Sequence, residues 1–467
     1  MTRRLAPAAG ASAAQGGFNS AALATRLRQL AGPLTGAQLC VAFSGGADST
    51  ALLAAAAMLR QRYRCRVRAL HVNHQLQPAA RSMARAARAT ARSLAVPCRV
   101  IDAPVTVARG ESPEAAARDV RYAALQAALR PGEWLLLAQH QDDQVEALLL
   151  QLLRGAGVAG LAAMPARAGC MLRPLLEFTR AQLLDYLRRR AIAWTEDPSN
   201  EDERFGRNYL RLRVLPLLRA RWPGLGTAVC RSAALAAEAR SLLAARAAVQ
   251  LEQAHVGTAL SVPVLRRLPV PDRHNALRHW LELRQLPMPD QTRLQEIAGP
   301  MLRARDDAQP LVRWRGGLVR RHGGLLHAVA EPPPARAAAA PFQAQRALQW
   351  NWLRQPRLAL PNGAALELCR DPRGALSRAA LPARVTVAFR DVGGAVTGRV
   401  GGGRLKRRLK VAAPQPWQRG AVPLIYDGAR LLAVGESWHA PELTGRAAVG
   451  GAARYRLRWH RAGASFI

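Results

Sequence analysis

The stretch Cys40-Val41-Ala42-Phe43-Ser44-Gly45-Gly46-Ala47-Asp48-Ser49 decides the fold of the first half of this 467-residue chain. Its apolar start predicts a strand, and the Ala- and Leu-rich run after Ser49 predicts a helix. Glycines at such a junction let a phosphate approach the backbone, and the helix N-terminus offers it unpaired N–H groups. Asp48 would repel a phosphate unless a cation lay between them. The stretch therefore predicts a Mg²⁺-dependent nucleotide site at Ser44, Gly45, Gly46, Ala47, Asp48 and Ser49. The alternative is a glycine turn with a Ser/Asp cap before an ordinary helix.

Strand and helix patterns alternate around this stretch. Further strands are predicted at residues 66–72, 98–101 and 134–138, and each is followed by a helical pattern. This alternation is typical of an α/β fold with a doubly wound parallel sheet, in which ligands sit at the carboxyl ends of the strands.

The pattern changes in the second half of the chain. Helical periodicity dominates up to about residue 305, a β-like stretch follows at 311–329, and a Pro- and Ala-rich linker covers 331–341. We therefore predict three domains: a nucleotide-binding domain at 21–216, a mainly helical middle domain at 217–330 and a small α+β domain at 345–462.

Charge and cysteine usage restrict the function. The chain has 68 Lys and Arg against 31 Asp and Glu, a net charge of +37, which favours a polyanionic partner. The alternative, the codon bias of a GC-rich genome, explains Arg in place of Lys but not the excess of cations. The six cysteines include no C-x-x-C pair, which argues against a zinc or iron–sulfur site and favours a reducing cytoplasm. Neither a signal peptide nor a membrane-spanning run is present.

A cluster of carboxylates opens the helix after the strand at 134–138. Asp142, Asp143 and Glu146 are spaced so that their side chains share one face, and they would lie near the nucleotide loop. This arrangement predicts recognition of a cation, either Mg²⁺ or an ammonium group. The alternative is stabilisation of the helix dipole. The sequence Gly155-Ala156-Gly157-Val158-Ala159-Gly160 follows a helix rather than a strand. We therefore interpret it as a mobile loop and not as a dinucleotide fingerprint.

Two basic segments are candidates for contact with an RNA backbone. Arg404-Leu405-Lys406-Arg407-Arg408-Leu409-Lys410 has five cations in seven residues and includes the only two lysines of the chain. The earlier segment includes Arg207 and Arg211. In both segments the alternative is a solvated helix face.

Seven blocks, in one order along residues 38–216, resemble the tRNA(Ile)-lysidine synthetase family. Ser-Gly-Gly-x-Asp-Ser after a strand is the signature of the wider group of pyrophosphatase-loop ATP enzymes. The blocks that narrow the resemblance are His71-Val72-Asn73-His74-Gln75-Leu76, Glu114-Ala115-Ala116-Ala117-Arg118, Ala138-Gln139-His140-Gln141-Asp142-Asp143-Gln144-Val145-Glu146, Arg154-Gly155-Ala156-Gly157, Arg173-Pro174-Leu175-Leu176, Asp197-Pro198-Ser199-Asn200 and Arg207-Asn208-Tyr209-Leu210-Arg211. The resemblance returns at residues 404–424.

The resemblance implies a two-step ligation that joins free L-lysine to tRNA(Ile) with a CAU anticodon, with ATP and Mg²⁺. It implies that Asp48 binds the metal, that Asp143 and Glu146 hold the lysine ammonium, and that Arg118 steadies developing negative charge. His140 would be a phosphate contact or an acid. The predicted tRNA contacts are Arg207, Arg211, Arg404, Lys406, Arg407, Lys410 and Arg419. A homodimer is also implied.

Two positions depart from the family pattern. Gln139 replaces a histidine and cannot carry a proton, and the C-terminal domain lacks the usual Arg-Pro-Gly start. Two other functions are compatible with parts of the sequence. A tRNA thiolase would need a paired-cysteine site, which is absent, and a non-catalytic RNA-binding protein is supported by charge alone.

Overall fold

The computed structural model describes residues 17–73, 80–105, 113–196, 202–305, 307–330, 347–361, 363–389, 402–413, 415–444 and 453–460. It divides the chain into two compact units, Met1–Arg246 and Ala247–Ile467. Several parts of the sequence named above lie outside the described residues: His74, the Asp197-Pro198-Ser199-Asn200 block and the linker at 331–341. Residues 1–16 and 390–401 also lie outside them.

The first unit is built on a six-stranded sheet in the order β3-β2-β1-β4-β6-β5. All neighbours pair in parallel except β5 and β6, which confirms the predicted parallel sheet. The strands are β1 Gln38–Ala42, β2 Arg66–Asn73, β3 Cys98–Asp102, β4 Glu133–Leu136, β5 Arg167–Ala168 and β6 Met171–Leu172.

Helices cover both faces of this sheet. The helices that begin in this unit are α1 Ser20–Ala31, α2 Ala47–Tyr63, α3 Ala80–Ser93, α4 Pro113–Ala127, α5 Gln141–Leu153, α6 Val158–Leu161, α7 Arg180–Arg189, α8 Gly206–Tyr209, α9 Leu215–Arg221 and α10 Leu225–Ala254. Because side chains alternate along a strand, Leu39 and Val41 pack with α1, α2 and α7, whereas Cys40 packs with Leu125 of α4 on the other face. The doubly wound fold is thereby confirmed.

A π-helical segment, Leu210–Val214, joins α8 directly to α9. Such segments are rare and often occur at functional sites. This one includes Arg211, so the basic block identified in the sequence has a distorted helical backbone.

The second unit begins with helices against an antiparallel sheet of order β7-β8-β11-β10-β9. Its elements are β7 His255–Val256, β8 Ala259–Ser261, α11 Val262–Arg267, α12 Val270–Leu283, α13 Gln291–Glu296, β9 Leu311–Trp314, β10 Gly317–His322 and β11 Leu325–Ala330. Trp280 of α12 is buried in the core between helices and sheet. Arg321 is also buried, and its guanidinium donates to the carbonyls of Met301 and Leu302 at 3.2 and 3.1 Å.

Two further sheets, β12-β16-β17-β18-β19 and β13-β14-β20-β15, form the end of this unit. Their strands are β12 Leu348–Trp350, β13 Arg357–Ala359, β14 Ala365–Arg370, β15 Leu376–Ser377, β16 Val385–Ala388, β17 Leu424–Asp427, β18 Arg430–Val434, β19 Trp438–His439 and β20 Arg454–His460, with helices α14 Gly402–Ala412 and α15 Pro441–Thr444. The buried rings of Trp350 and Trp352 meet edge to face at 5.6 Å in the core. No helix in the described ranges is long and apolar enough to cross a bilayer.

Candidate functional site

The loop between β1 and α2 has the geometry of a phosphate cradle. Gly45 has φ of 92°, in the left-handed region that favours glycine, and Gly46 caps α2 without a side-chain hydrogen bond. Ser49 Oγ donates to the Gly46 carbonyl at 3.0 Å and lies 3.0 Å from Ser44 Oγ. The two hydroxyls therefore brace the loop, and the first turn of α2 presents N–H groups without partners in the helix to an incoming phosphate.

Asp48 lies at the mouth of this loop and faces two basic groups. Its Oδ2 is 3.5 Å from His140 Nε2, and its Oδ1 is 3.8 Å from Arg180 Nε. Oδ1 is buried and has no hydrogen-bond partner within the described part of the chain. Burial would raise the pKa of Asp48, but His140, Arg180 and Arg211 together lower it. Asp48 is therefore a carboxylate with an unused oxygen.

His140 connects the nucleotide loop to α5, whose N-terminus it caps. Its side chain is 1% exposed, with Nε2 3.5 Å from Asp143 Oδ2 and Nδ1 3.7 Å from Asp142 Oδ2. Burial would lower the pKa of His140, but Asp143, Asp48 and Asp142 outweigh it and raise the pKa. This histidine is therefore held toward its protonated form, as a phosphate contact or a general acid requires.

Asp143 and Glu146 share one face of α5, and both contact the guanidinium of Arg211. Their role in holding a lysine ammonium remains a prediction. Arg211 Nε and Nη2 donate to the two oxygens of Glu146 at 2.7 and 3.0 Å, and Nη2 also reaches Asp143 Oδ1 at 3.1 Å. Arg207 Nε lies 3.5 Å from Glu146. Glu146 is fully buried, which raises the pKa of its carboxyl although Arg211 opposes the shift.

Asp142 has a structural role that the sequence did not indicate. It pairs with Arg219 of α9, and its Oδ2 accepts the backbone N–H of Arg180 at 2.8 Å. It thus ties the start of α5 to the start of α7. Arg180 and Arg219 are the site residues that the sequence interpretation missed. Arg180 could have been found from Thr179, whose side chain caps α7 and so places Arg180 at that helix start.

Arg118 lies on α4 and contacts Tyr122 one turn further along that helix. Its guanidinium is 5.3 Å from the ring centre of Tyr122, and the Tyr122 hydroxyl accepts a 3.3 Å hydrogen bond from Gln139 Nε2. Gln139 therefore connects Arg118, through Tyr122, to the chain just before His140. The role predicted for Arg118 toward developing negative charge remains a prediction.

The glycine-rich loop follows α5, as predicted, and includes the short helix α6. Behind it, the Gln144 side chain holds Met164 through two hydrogen bonds of 2.9 and 2.8 Å to the backbone. The buried Arg173 donates to the Pro165 carbonyl at 2.8 Å. Gln144 and Arg173, which belong to two of the family-like sequence blocks, thus hold the backbone of Met164 and Pro165 in place.

The basic segment of the second unit forms α14. Leu405 and Leu409 are buried one turn apart, whereas Arg404, Lys406, Arg407 and Lys410 are exposed. Arg408 stacks on Trp438, with its guanidinium carbon 3.3 Å from the ring centre. The helix therefore presents its cations to solvent from an anchored backbone. Arg419 Nε donates to the Ala413 carbonyl at 3.1 Å, just beyond the end of α14.

Three family models match the chain. They are described as PP-loop domain, at residues 19–218, TilS substrate binding domain, at 260–327, and TilS substrate C-terminal domain, at 385–459. Among curated relatives, tRNA(Ile)-lysidine synthase of Methylococcus capsulatus is 39% identical, covering 89% of this chain and 95% of the relative. The enzyme of the same name from Pseudomonas aeruginosa is 42% identical, covering 85% and 88%.

One solved structure with a similar backbone is the U34-tRNA thiolase NcsA from Methanococcus maripaludis with its [4Fe-4S] cluster. It has a TM-score of 0.38 and 14% identity, and the match covers 45% of this chain and 76% of that one. NMN synthetase from Francisella tularensis matches with a TM-score of 0.26.

Proposed function

We propose a reaction for this chain from one premise: the chain belongs to the tRNA(Ile)-lysidine synthase family. As a member it is a tRNA-modifying ligase with a PP-loop ATP-binding domain. In the proposed first step, the C2 carbonyl oxygen of the wobble cytidine in tRNA(Ile) with a CAU anticodon attacks the α-phosphate of ATP, and pyrophosphate leaves. In the second step, the ε-amino group of free L-lysine attacks C2 and expels AMP, giving lysidine.

The loop of residues 44–49 is the proposed phosphate site, and Asp48 is the residue that would hold Mg²⁺. Its buried Oδ1 lacks a hydrogen-bond partner among described residues, which suits a single carboxylate ligand to an ion otherwise bound by phosphate and water. No cluster of three or more metal-binding side chains occurs in the described ranges, so an all-protein cage is not the basis of this assignment. The ion would neutralise charge on the departing pyrophosphate.

The observation that carries the lysine assignment is the contact of Arg211 with Asp143 and Glu146. Two carboxylates that already bind a guanidinium at 2.7–3.1 Å form a site for a cationic side chain. We assign them to the lysine ammonium, which takes the place of Arg211 when lysine binds. The raised pKa of Glu146 also suits it to accept the proton that this ammonium must lose before the amine can attack.

The remaining residues support this centre. His140 would donate to the phosphates, and Arg118 would balance the negative charge of the transition state. The tRNA backbone would contact Arg404, Lys406, Arg407, Lys410 and Arg419, with Arg207 and Arg211 near the wobble base. We retain the division into an ATP-binding catalytic domain at 21–216, a middle domain at 217–330 and a tRNA-binding domain at 345–462. The reaction would occur in the cytoplasm, and the chain would act as a homodimer.

Incorporation of radiolabelled lysine into a panel of tRNA transcripts tests this proposal. We expect labelling of tRNA(Ile) with a CAU anticodon, none of tRNA(Met) with the same anticodon, and stoichiometric AMP and pyrophosphate. A tRNA(Ile) transcript with a GAU anticodon provides the matched control for the wobble base. Pyrophosphate release with tRNA and a sulfur donor, but no label from lysine, would instead indicate the thiolase alternative.

A further inference from the structure

Trp417 packs against a group of basic side chains on the sheet β7-β8-β11-β10-β9. Its indole meets the ring of His322 at 5.8 Å and the ring of His327 at 5.2 Å, both edge to face, and the Arg320 guanidinium lies 5.3 Å from the indole centre. Gln415 Nε2 lies 3.4 Å from His327 Nδ1. Three contacts therefore fix the position of the indole, and Gln415 in turn holds one of its partners, His327.

The strands explain why these groups share one face. Arg320 and His327 are register partners on β10 and β11, and His322 follows Arg320 by two residues, so all three point the same way. Arg321, between them, points to the opposite face and is buried against helix-end carbonyls. The alternation of β10 thus leaves one arginine and two histidines on the face that the indole covers.

Trp417 belongs to the 3-10 segment Pro416–Ala421, which also contains Arg419. Arg419 binds the Ala413 carbonyl immediately after α14, and α14 packs on the same segment. One short segment therefore contacts the sheet through Trp417 and the end of the basic helix through Arg419.

We propose that Pro416–Ala421 is a positioning link that fixes the direction in which α14 presents Lys406, Arg407 and Lys410 to the RNA. Trp417 is the positioning residue of this link and does not itself contact RNA. The inference rests on the proposed function, in that α14 is taken to bind the tRNA backbone. Since phosphate contacts depend on register with the duplex, a helix that is free to rotate would make fewer of them at once.

A double-mutant cycle in the full chain tests the link. Trp417→Leu is combined with the patch variant Lys406→Ala/Arg407→Ala/Lys410→Ala, and the Kd for tRNA is measured by filter binding. Trp314→Leu, a partly exposed tryptophan on β9 that binds the Pro287 carbonyl instead, is the matched control. Thermal unfolding reports whether each variant folds, and Trp417→Phe keeps an aromatic edge at the link should the leucine variant fail to fold.

We expect Trp417→Leu to raise the Kd for tRNA about three- to tenfold in the wild-type background. In the patch variant the Kd should change by less than about twofold, because the cations that Trp417 positions are already absent. Trp417→Phe should raise the Kd less than Trp417→Leu, and the kcat at saturating tRNA should stay constant. Equal effects in both backgrounds, or no effect in either, would overturn the link. A patch variant that binds like wild type would show instead that α14 is not the RNA contact, and the link would fall with it.

Discussion

Glu146→Gln is the substitution that most directly tests the lysine site. Glu146 is fully buried and accepts two hydrogen bonds from Arg211, so the amide keeps the shape of the side chain but removes its charge. If lysine takes the place of Arg211, the substitution weakens the binding of lysine and also the contact of Arg211, which competes with lysine for the same carboxylates.

The change in the KM for lysine depends on how much affinity lysine loses and how much Arg211 loses. A hydrogen bond to a charged group contributes about 1.5–3 kcal/mol, which corresponds to about ten- to a hundredfold in lysine affinity. In the variant the amide oxygen can still accept one of the two Arg211 hydrogen bonds, but without the charge, and Arg211 keeps its 3.1 Å contact to Asp143. Arg211 therefore leaves the site more readily, which offsets part of the loss in lysine affinity. We therefore expect the KM for lysine to rise by about tenfold, the lower end of the range.

The assay follows lysine incorporation over a range of lysine concentrations, together with lysine-independent pyrophosphate release. The KM for ATP should stay nearly constant, and adenylated tRNA should accumulate. Asp142→Asn is the matched control, because this carboxylate sits on the same helix but pairs with Arg219 and Arg180. Loss of pyrophosphate release with an unchanged lysine KM would place Glu146 in the metal site and refute the assignment.

Three further predictions concern the rest of the molecule. Asp48→Ala should abolish pyrophosphate release without lowering the thermal unfolding temperature, and release near the wild-type rate would contradict its metal role. Replacing Lys406, Arg407 and Lys410 by Ala should weaken the salt dependence of tRNA binding. The slope of the logarithm of the binding constant against the logarithm of salt concentration should fall by at most about 0.9 per lost phosphate contact. An unchanged slope would show that these three residues do not contact the RNA backbone. The pKa of His327 is lowered by burial and by His322, so its contribution to stability is full above the ordinary histidine pKa of about 6.5 and is lost as the pH falls through the lower folded value. Thermal unfolding at decreasing pH should show this loss, and it should be smaller in His327→Gln.

The sequence predicted most of the first unit because its signals are local. The apolar run that leads into Ser44 predicts a strand, and the Ala- and Leu-rich run after Ser49 predicts a helix. The structure places β1 at Gln38–Ala42 and α2 at Ala47–Tyr63. The short strands β7 and β8 were not predicted, since they interrupt helical periodicity over only two or three residues. The π segment at Leu210–Val214 has no composition that distinguishes it from an ordinary helix.

Contacts between residues far apart in the sequence are harder to predict. The spacing of Asp143 and Glu146 indicates that they share a face. Their partner Arg211 is 65 residues from Glu146 in the chain, in a segment whose charge predicts an RNA contact instead. The pairing of Asp142 with Arg219 depends on how α5 and α9 approach each other. Helical periodicity shows that two carboxylates share a face, and only the folded chain shows which arginine reaches them.

On the proposed assignment, the ion pair of Arg211 with Glu146 also affects which solutes the site admits. Without Arg211, the buried carboxylate of Glu146 and the partly exposed carboxylate of Asp143 would attract any small cation, including the Na⁺ and K⁺ that are abundant in every cell. A bidentate guanidinium satisfies both oxygens of Glu146 with directional hydrogen bonds, which a spherical ion cannot match. The same pairing lowers the affinity for lysine. If Arg211 has left the carboxylates in about one molecule in a hundred, the apparent Kd for lysine is about a hundredfold above the intrinsic value. On the proposed assignment, the site therefore discriminates against inorganic cations and requires a higher working concentration of lysine.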